Sequence, residues 1–178
     1  LDQFNFDVTE LKILENGDKI IGSDRGIITS NNGVVITANQ FEYYKKLNVL
    51  YASGNVKIVD KINDYEIYTQ EITYKKNQNL ITTNNSSRAV DLKAGIQIDA
   101  NNFQYNLVEN IIIAKKNATI ENKLKNYTIS SNFISYLKND SKIFTKGETT
   151  AFIEPNYRFK SFDVTLLTDL MELSSNNK

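Results

Sequence analysis

The side chains able to do chemistry in this 178-residue chain are carboxylates, lysines and tyrosines, because histidine and cysteine are both absent. Their absence removes the commonest general base, the commonest metal ligand and every Ser-His or Cys-His nucleophile. What remains for acid–base work is pairs such as Asp60/Asp64 and Glu71/Asp99, which fall in turns or at polar strand positions with no partner base. Proton transfer needs juxtaposed groups of perturbed pKa, so no catalytic residue is expected, and no metal or cofactor. The Gly-Gly-x-Gly-x-Asp turns of calcium-binding β-helices are also missing.

Two further sets are spaced regularly. Lysine doublets occur at Lys45-Lys46, Lys75-Lys76 and Lys115-Lys116, the first two in equivalent polar turns that should lie on one edge. They read either as solvated turns or as ammonium groups facing phosphate. Tyr43, Tyr74, Tyr105 and Tyr136 follow one another at a constant interval. Such a column is either a stacking ladder or a row of core rings with hydroxyls at the surface.

The elements that must position these residues form an internal repeat. "VVITANQFEY" (34–43), "YEIYTQEITY" (65–74), "IQIDANNFQY" (96–105) and "YTISSNFISY" (127–136) align, and "FNFDVTELKI" (4–13) and "YRFKSFDVTL" (157–166) extend the series. Each copy alternates apolar and polar residues, slips phase by one and resumes, as at Val34, Ile36 and Ala38, then Phe41 and Tyr43. Period-two alternation means a strand with one buried face, and a mid-strand slip keeps both parts facing inward only through a bulge or corner. The second half of the unit runs Leu50, Ala52, Gly54, Val56, Ile58 in the sharpest copy, with Gly54, and Gly147 in a later copy, as the small residue at mid-strand. Gly54-Asn55 therefore reads as a corner, and Lys116 in the same slot either snorkels or is turned outward by a bulge. About a dozen strands of roughly ten residues follow, joined by short turns. "FDVTLLTDLMEL" (162–173) is the one stretch that admits a helical reading.

Bent strands in tandem make two facing sheets: a jelly roll, a sandwich or a β-solenoid. Their inward positions mix large and small residues, so they either fill a tapered core or leave an elongated apolar groove. Lys plus Arg equal Asp plus Glu at 21 each, so no overall field favours nucleic acid or an anionic membrane. No apolar run approaches the length of a transmembrane helix. The chain has neither an initiator Met nor a signal peptide, which leads us to expect a mature protein or a fragment of a longer chain, with 1–178 one domain.

"ITANQFEYYKKLNVLYASGNVKIVD" (36–60) resembles the OstA/LptA-like periplasmic domain, whose repeat couples an A-[DN]-x-[FVIA]-x-Y strand to an A-x-G-N-V-x-I strand. The match runs through Ala38, Asn39, Phe41, Tyr43, Ala52, Gly54, Asn55, Val56 and Ile58, with a weaker echo from Ala100 to Ile120. Asn stands for the usual Asp at 39 and 101, and the 65–94 unit has lost the Gly-Asn phrase. The tandem units, the lack of a basic anchor and the abrupt end resemble most the N-terminal domain of LptD, with the soluble carrier LptA second.

The resemblance implies an all-β, V-shaped β-jelly roll built from these two-strand repeats. It implies a periplasmic domain attached to or part of the outer membrane of a Gram-negative bacterium. The domain would bind lipopolysaccharide acyl chains in an apolar groove and pass them to the outer membrane. The groove would be lined by Ile36, Phe41, Tyr43, Leu50, Val56, Ile58, Ile67, Ile72, Ile98, Phe103, Ile112, Ile120, Ile129 and Ile134. Lys45, Lys46, Lys75 and Lys76 would form the headgroup rim. The first strand, without Pro and with Phe4, Phe6, Val8 and Leu11 in alternation, would be an edge for strand addition by an LptA-like carrier. An outer-membrane barrel and its lipoprotein plug complete the implied partners; nucleic acid is not among them. The alternative from the residues alone is a structural β-solenoid or adhesin-like module with a filled core and no ligand.

Overall fold

A computed structural model describes residues 3–175. Strands are β1 (Phe4–Leu14), β2 (Lys19–Ser30), β3 (Val34–Ala38), β4 (Gln40–Tyr44), β5 (Val49–Asp60), β6 (Tyr65–Lys75), β7 (Leu80–Thr83) and β8 (Ser87–Asp91). They continue as β9 (Ile96–Ala100), β10 (Asn102–Asn106), β11 (Ile111–Asn122), β12 (Tyr127–Leu137), β13 (Lys142–Ile153), β14 (Tyr157–Phe162), β15 (Val164–Leu167) and β16 (Glu172–Ser175). Every described pairing is antiparallel and all sixteen strands belong to one sheet. The stretch from 162 to 173 is strand, turn and strand, because its inward residues Val164 and Leu166 continue the period-two pattern of the repeat.

The sheet folds along a crease that cuts each long strand in two. One half of β5 pairs with β4 and the other with β3; β11 divides likewise between β10 and β9. The result is two leaves. The first holds β4, β7, β10, β15 and β16 with the adjoining halves of the long strands, and the second holds β3, β8, β9 and β14 with theirs.

The crease is a stack of bulges. Register shifts isolate Gly54-Asn55 on β5 and Lys116-Asn117 on β11, and all four residues have positive φ, between 50° and 78°. Two successive left-handed residues turn a strand sharply, and Gly or Asn adopts that conformation at least cost. Lys116 is thus turned outward by a bulge and is exposed. Facing the crease, Asn39, Gln70, Asn101, Asn132 and Asp163 recur once per repeat, in the same slot each time. Three of them accept a backbone N–H of the neighbouring corner: Asn55 N–H to Gln70, Asn117 N–H to Asn132, and Gly147 N–H to Asp163 Oδ1 at 2.8 Å.

Inside the crease, apolar and hydroxyl clusters alternate. Ala38, Ala52 and Val56 are followed by Thr69, Thr83 and Ser87, then by Ala100, Ala114 and Ala118, then by Ser131, Thr145 and Thr149; all are buried. The hydroxyl clusters bond internally, Ser87 to Thr69 at 2.8 Å and Thr145 with Thr149 at 2.7 Å. They also accept N–H groups of the next strand, Phe103 at Thr83 and Val164 at Thr145. Buried polar groups persist only when partnered in this way.

Candidate functional site

The two leaves face each other across an apolar interior. All fourteen residues expected to line a groove point into it and are buried, with exposures of 4% or less. The sheet parity read from the sequence brings them together, since each inward residue of one strand is in register with an inward residue of the next, as in Ile36↔Ile58↔Ile67. Two surface depressions, of about 670 and 580 Å³, lie on outer faces beside the crease. Outward side chains such as Tyr44, Tyr51 and Thr73 line the first, and Lys57, Tyr68 and Arg88 the second.

Opposite the crease, the free edges of the leaves meet in a polar seam, here called the mouth. On the second leaf Ser30, Asp60, Asp91 and Asn122 stand at one level of the sheet, and all are buried. Each of the last three accepts two N–H groups of its own turn: Ile62 and Asn63 at Asp60, Lys93 and Ala94 at Asp91, Leu124 and Lys125 at Asn122. This Asx-turn role is why short polar side chains close these turns.

The other carboxylate oxygen of each aspartate faces the first leaf. The Tyr105 hydroxyl donates to Asp60 Oδ2 at 2.7 Å and the Tyr136 hydroxyl to Asp91 Oδ2 at 3.0 Å. Asn63 donates across the seam to the Tyr105 hydroxyl and to the Leu107 carbonyl, both at 2.9 Å. Lys138 bridges the mouth to Asp91 at 3.0 Å and to the Asn63 carbonyl at 2.5 Å, and sits over the Tyr65 ring. At the start of the row the Tyr74 hydroxyl receives Asn32 Nδ2 at 3.1 Å. Burial first, and then the aspartates, raise the pKa of Tyr105 and Tyr136 far above the usual phenol range; burial alone leads for Tyr74. All three phenols therefore stay protonated at neutral pH.

The tyrosine column is thus core, but the hydroxyls of Tyr74, Tyr105 and Tyr136 end in a buried inter-leaf seam instead of at the surface. Asp60 likewise is no solvated turn acid. Its pairing with Tyr105 spans 45 residues. The sequence signal for it is the recurrence of a short polar side chain at one slot of successive repeats, Asp60, Asp91 and Asn122. Glu71 and Asp99 lie on different leaves, and Asp99 is bound by Arg88 at 2.7 Å. Among the described residues there is no cluster of three or more acidic groups able to hold a metal.

The rim lysines separate. Lys45 and Lys75 are exposed and Lys46 reaches Asp18 on the outside, whereas Lys76 turns inward and is buried. Position 138, one of the same series as 45 and 76, also places its lysine in the seam; nothing in a doublet rule points to it. At the N-terminal edge Phe4, Phe6, Val8 and Leu11 all lie on the inner face of β1, which among the described residues pairs with β2 alone. Phe4 is buried, Phe6 and Val8 are half-buried, and Leu11 and Ile13 are 47% and 61% exposed, so the interior is uncovered at this end of the first leaf.

No family model matches the sequence and no curated protein matches it. Among solved structures the chain is similar to LptH of Pseudomonas aeruginosa, described as the LptA-homologous periplasmic component of a lipopolysaccharide transport device. The likeness has a TM-score of 0.58 at 13% identity and covers 64% of this chain and 82% of that one. The fold is an LptA-like β-jelly roll. Within it, among the described residues, no helix is long and apolar enough to cross a membrane.

Proposed function

We propose that this chain is a periplasmic lipopolysaccharide-transport domain, attached to or part of the outer membrane. It takes acyl chains between its two leaves and passes them on. The observation that carries this reading is the way the interior is closed. A continuous apolar surface runs the length of both leaves, covalently joined at the crease but held at the mouth, among the described residues, by hydrogen bonds, the ion pairs Lys138–Asp91 and Lys125–Asp169, and ring contacts such as Tyr65–Tyr105. Parting the mouth exposes a slot in which each buried methylene contributes about 0.8 kcal/mol. The LptA-like fold and the motif from Ala38 to Ile58 support the same conclusion, and the tandem Ala-Asn units are most like the N-terminal domain of LptD. The partner in this reading is an LptA-like carrier that adds a strand to β1 and continues the apolar surface past Leu11 and Ile13. An outer-membrane barrel with its lipoprotein plug would lie beyond.

A second reading, a structural module with a filled core, is favoured by the complete burial of the fourteen interior residues. Photo-crosslinkers separate the two. Placed at Ile36, Ile98 and Ile129 they should capture lipopolysaccharide, and at the outward neighbours Thr37, Asp99 and Ser130 they should not. Equal capture at both sets, or none at the inward set, rules out the slot. Ile98→Asp should impair transport, because a carboxylate in an apolar slot costs several kcal/mol.

A further inference from the structure

One position in the mouth has the repeat's cation without the repeat's anion. Lys76 and Lys138 occupy the same place in units two repeats apart, each just beyond a tyrosine whose hydroxyl crosses to the second leaf. Lys138 meets the buried Asp91 carboxylate. The level of the second leaf that faces Tyr74 holds Ser30 instead, together with Asn32, which bonds both Ser30 and Tyr74. A neutral, shorter side chain therefore stands where the later turns have aspartate.

Lys76 is nevertheless buried, at 7% exposure. Its ammonium donates to the Tyr74 hydroxyl at 3.3 Å and lies 5.5 Å from the centre of that ring. Among the described residues no carboxylate comes within ion-pair distance of it. An ammonium has three donors and no acceptor, and an unpaired buried charge is strongly unfavourable. Burial accordingly lowers the Lys76 pKa.

We propose that Lys76, Tyr74, Ser30 and Asn32 form an anion site at the N-terminal end of the mouth that takes a phosphate group in place of the missing carboxylate. Phosphate fits the donor set: the Lys76 ammonium has donors left beyond its bond to Tyr74, and the Tyr74 hydroxyl, Ser30 hydroxyl and Asn32 carboxamide, which bond one another in the seam, would turn to the terminal oxygens of an entering phosphate. The phosphate comes either from a lipid headgroup at the mouth or from the free ion. The first source rests on the transport reading; the site itself does not.

The test uses the full chain and three proteins: the unaltered chain, Lys76→Met and Ser30→Asp. Thermal unfolding and calorimetry are run with inorganic phosphate, with detergent-dispersed phosphorylated lipid A, and with the same lipid after phosphatase treatment. The unaltered chain should prefer phosphorylated over dephosphorylated lipid by about tenfold, or about 1.4 kcal/mol. Lys76→Met should lose that preference while folding at least as stably, since it removes an uncompensated buried charge. Ser30→Asp should supply the carboxylate from within, raising Tm and removing the preference. A Tm rise with inorganic phosphate alone, lost in both variants, supports the site with the free ion as its source. Equal binding of both lipids, with no response to inorganic phosphate, overturns the anion site and leaves the acyl slot standing. A phosphate response without any lipid binding overturns the slot and leaves the anion site standing. Retention of the preference in Lys76→Met, or no response of the unaltered chain to either phosphate source, overturns the proposal.

Discussion

Replacing Asp91 with Asn tests whether the mouth is held by charge or merely by the packing behind it. The substitution is nearly isosteric, and Asn122 already performs the same Asx-turn role one unit later, accepting Leu124 and Lys125 N–H at 2.9 Å. Asp91→Asn should therefore keep its bonds to Lys93 and Ala94 and lose only the negative charge facing Tyr136 and Lys138. The Asp91 side chain is fully buried and that of Lys138 is 16% exposed, so solvent cannot replace the lost partner. Breaking a buried pair by removing one member costs about 3–5 kcal/mol. Because Lys138 retains the Asn63 carbonyl, the lower end applies, about 3 kcal/mol, or a Tm fall of about 6–12 °C for a domain of this size. The assay is urea unfolding at pH 7 of the single variants Asp91→Asn and Lys138→Met and of the double variant. The double variant should recover about 2 kcal/mol relative to the sum of the singles, because it leaves no unpaired charge. The coupling should change little between low and high salt, as buried pairs are poorly screened. A coupling below about 0.5 kcal/mol would falsify the Asp91–Lys138 pair as an electrostatic closure and leave the apolar interior and the remaining inter-leaf hydrogen bonds to hold the leaves together.

Three further outcomes follow from other parts of the molecule. Gly54→Ala should cost about 2–3 kcal/mol, because φ is +78° and the added Cβ would lie 2.9 Å from Asn39 Cβ; Gly147→Ala, at φ +82° with open space, should cost only about 1 kcal/mol. Equal losses in chemical denaturation would show that the crease has room at Gly54. Leu11→Lys combined with Ile13→Lys should leave stability within about 0.5 kcal/mol, since both side chains are already uncovered, while weakening binding of an LptA-like carrier in a pull-down. Unimpaired binding would move the contact away from this edge. Finally, burial lowers the Lys76 pKa, so in the window below about pH 10.4 the unfolded chain holds a proton that the folded chain has released. Stability should thus rise with pH through that window. The raised tyrosines act with the opposite sign above about pH 10 and cancel in the difference between the unaltered chain and Lys76→Met. A flat difference curve would mean that Lys76 is not held without a counter-ion.

The strands, their inward residues and their bend were legible in the sequence because each is a local matter. Alternation fixes which side of a strand is apolar, and a slipped phase with Gly54-Asn55 forces a corner whatever the strand packs against. The constant repeat length then copies that solution along the chain. Even the polar crease residues from Asn39 to Asp163, and the hydroxyl clusters in every second unit, were signals of this kind, visible as identical residue classes in identical slots. What alternation cannot encode is which turn of one leaf meets which strand of the other. Tyr105 reaches Asp60 and Tyr136 reaches Asp91, each across 45 residues, only because the crease folds one leaf over the other with an offset. The same folding decides that Lys76 turns inward while Lys45, its counterpart one unit earlier, stays exposed. It decides as well that Tyr74, beside Lys76, meets the neutral Asn32–Ser30 pair where Tyr136, beside Lys138, meets Asp91. Those contacts belong to the meeting of two surfaces, and a one-dimensional pattern describes each surface but not how they are laid together.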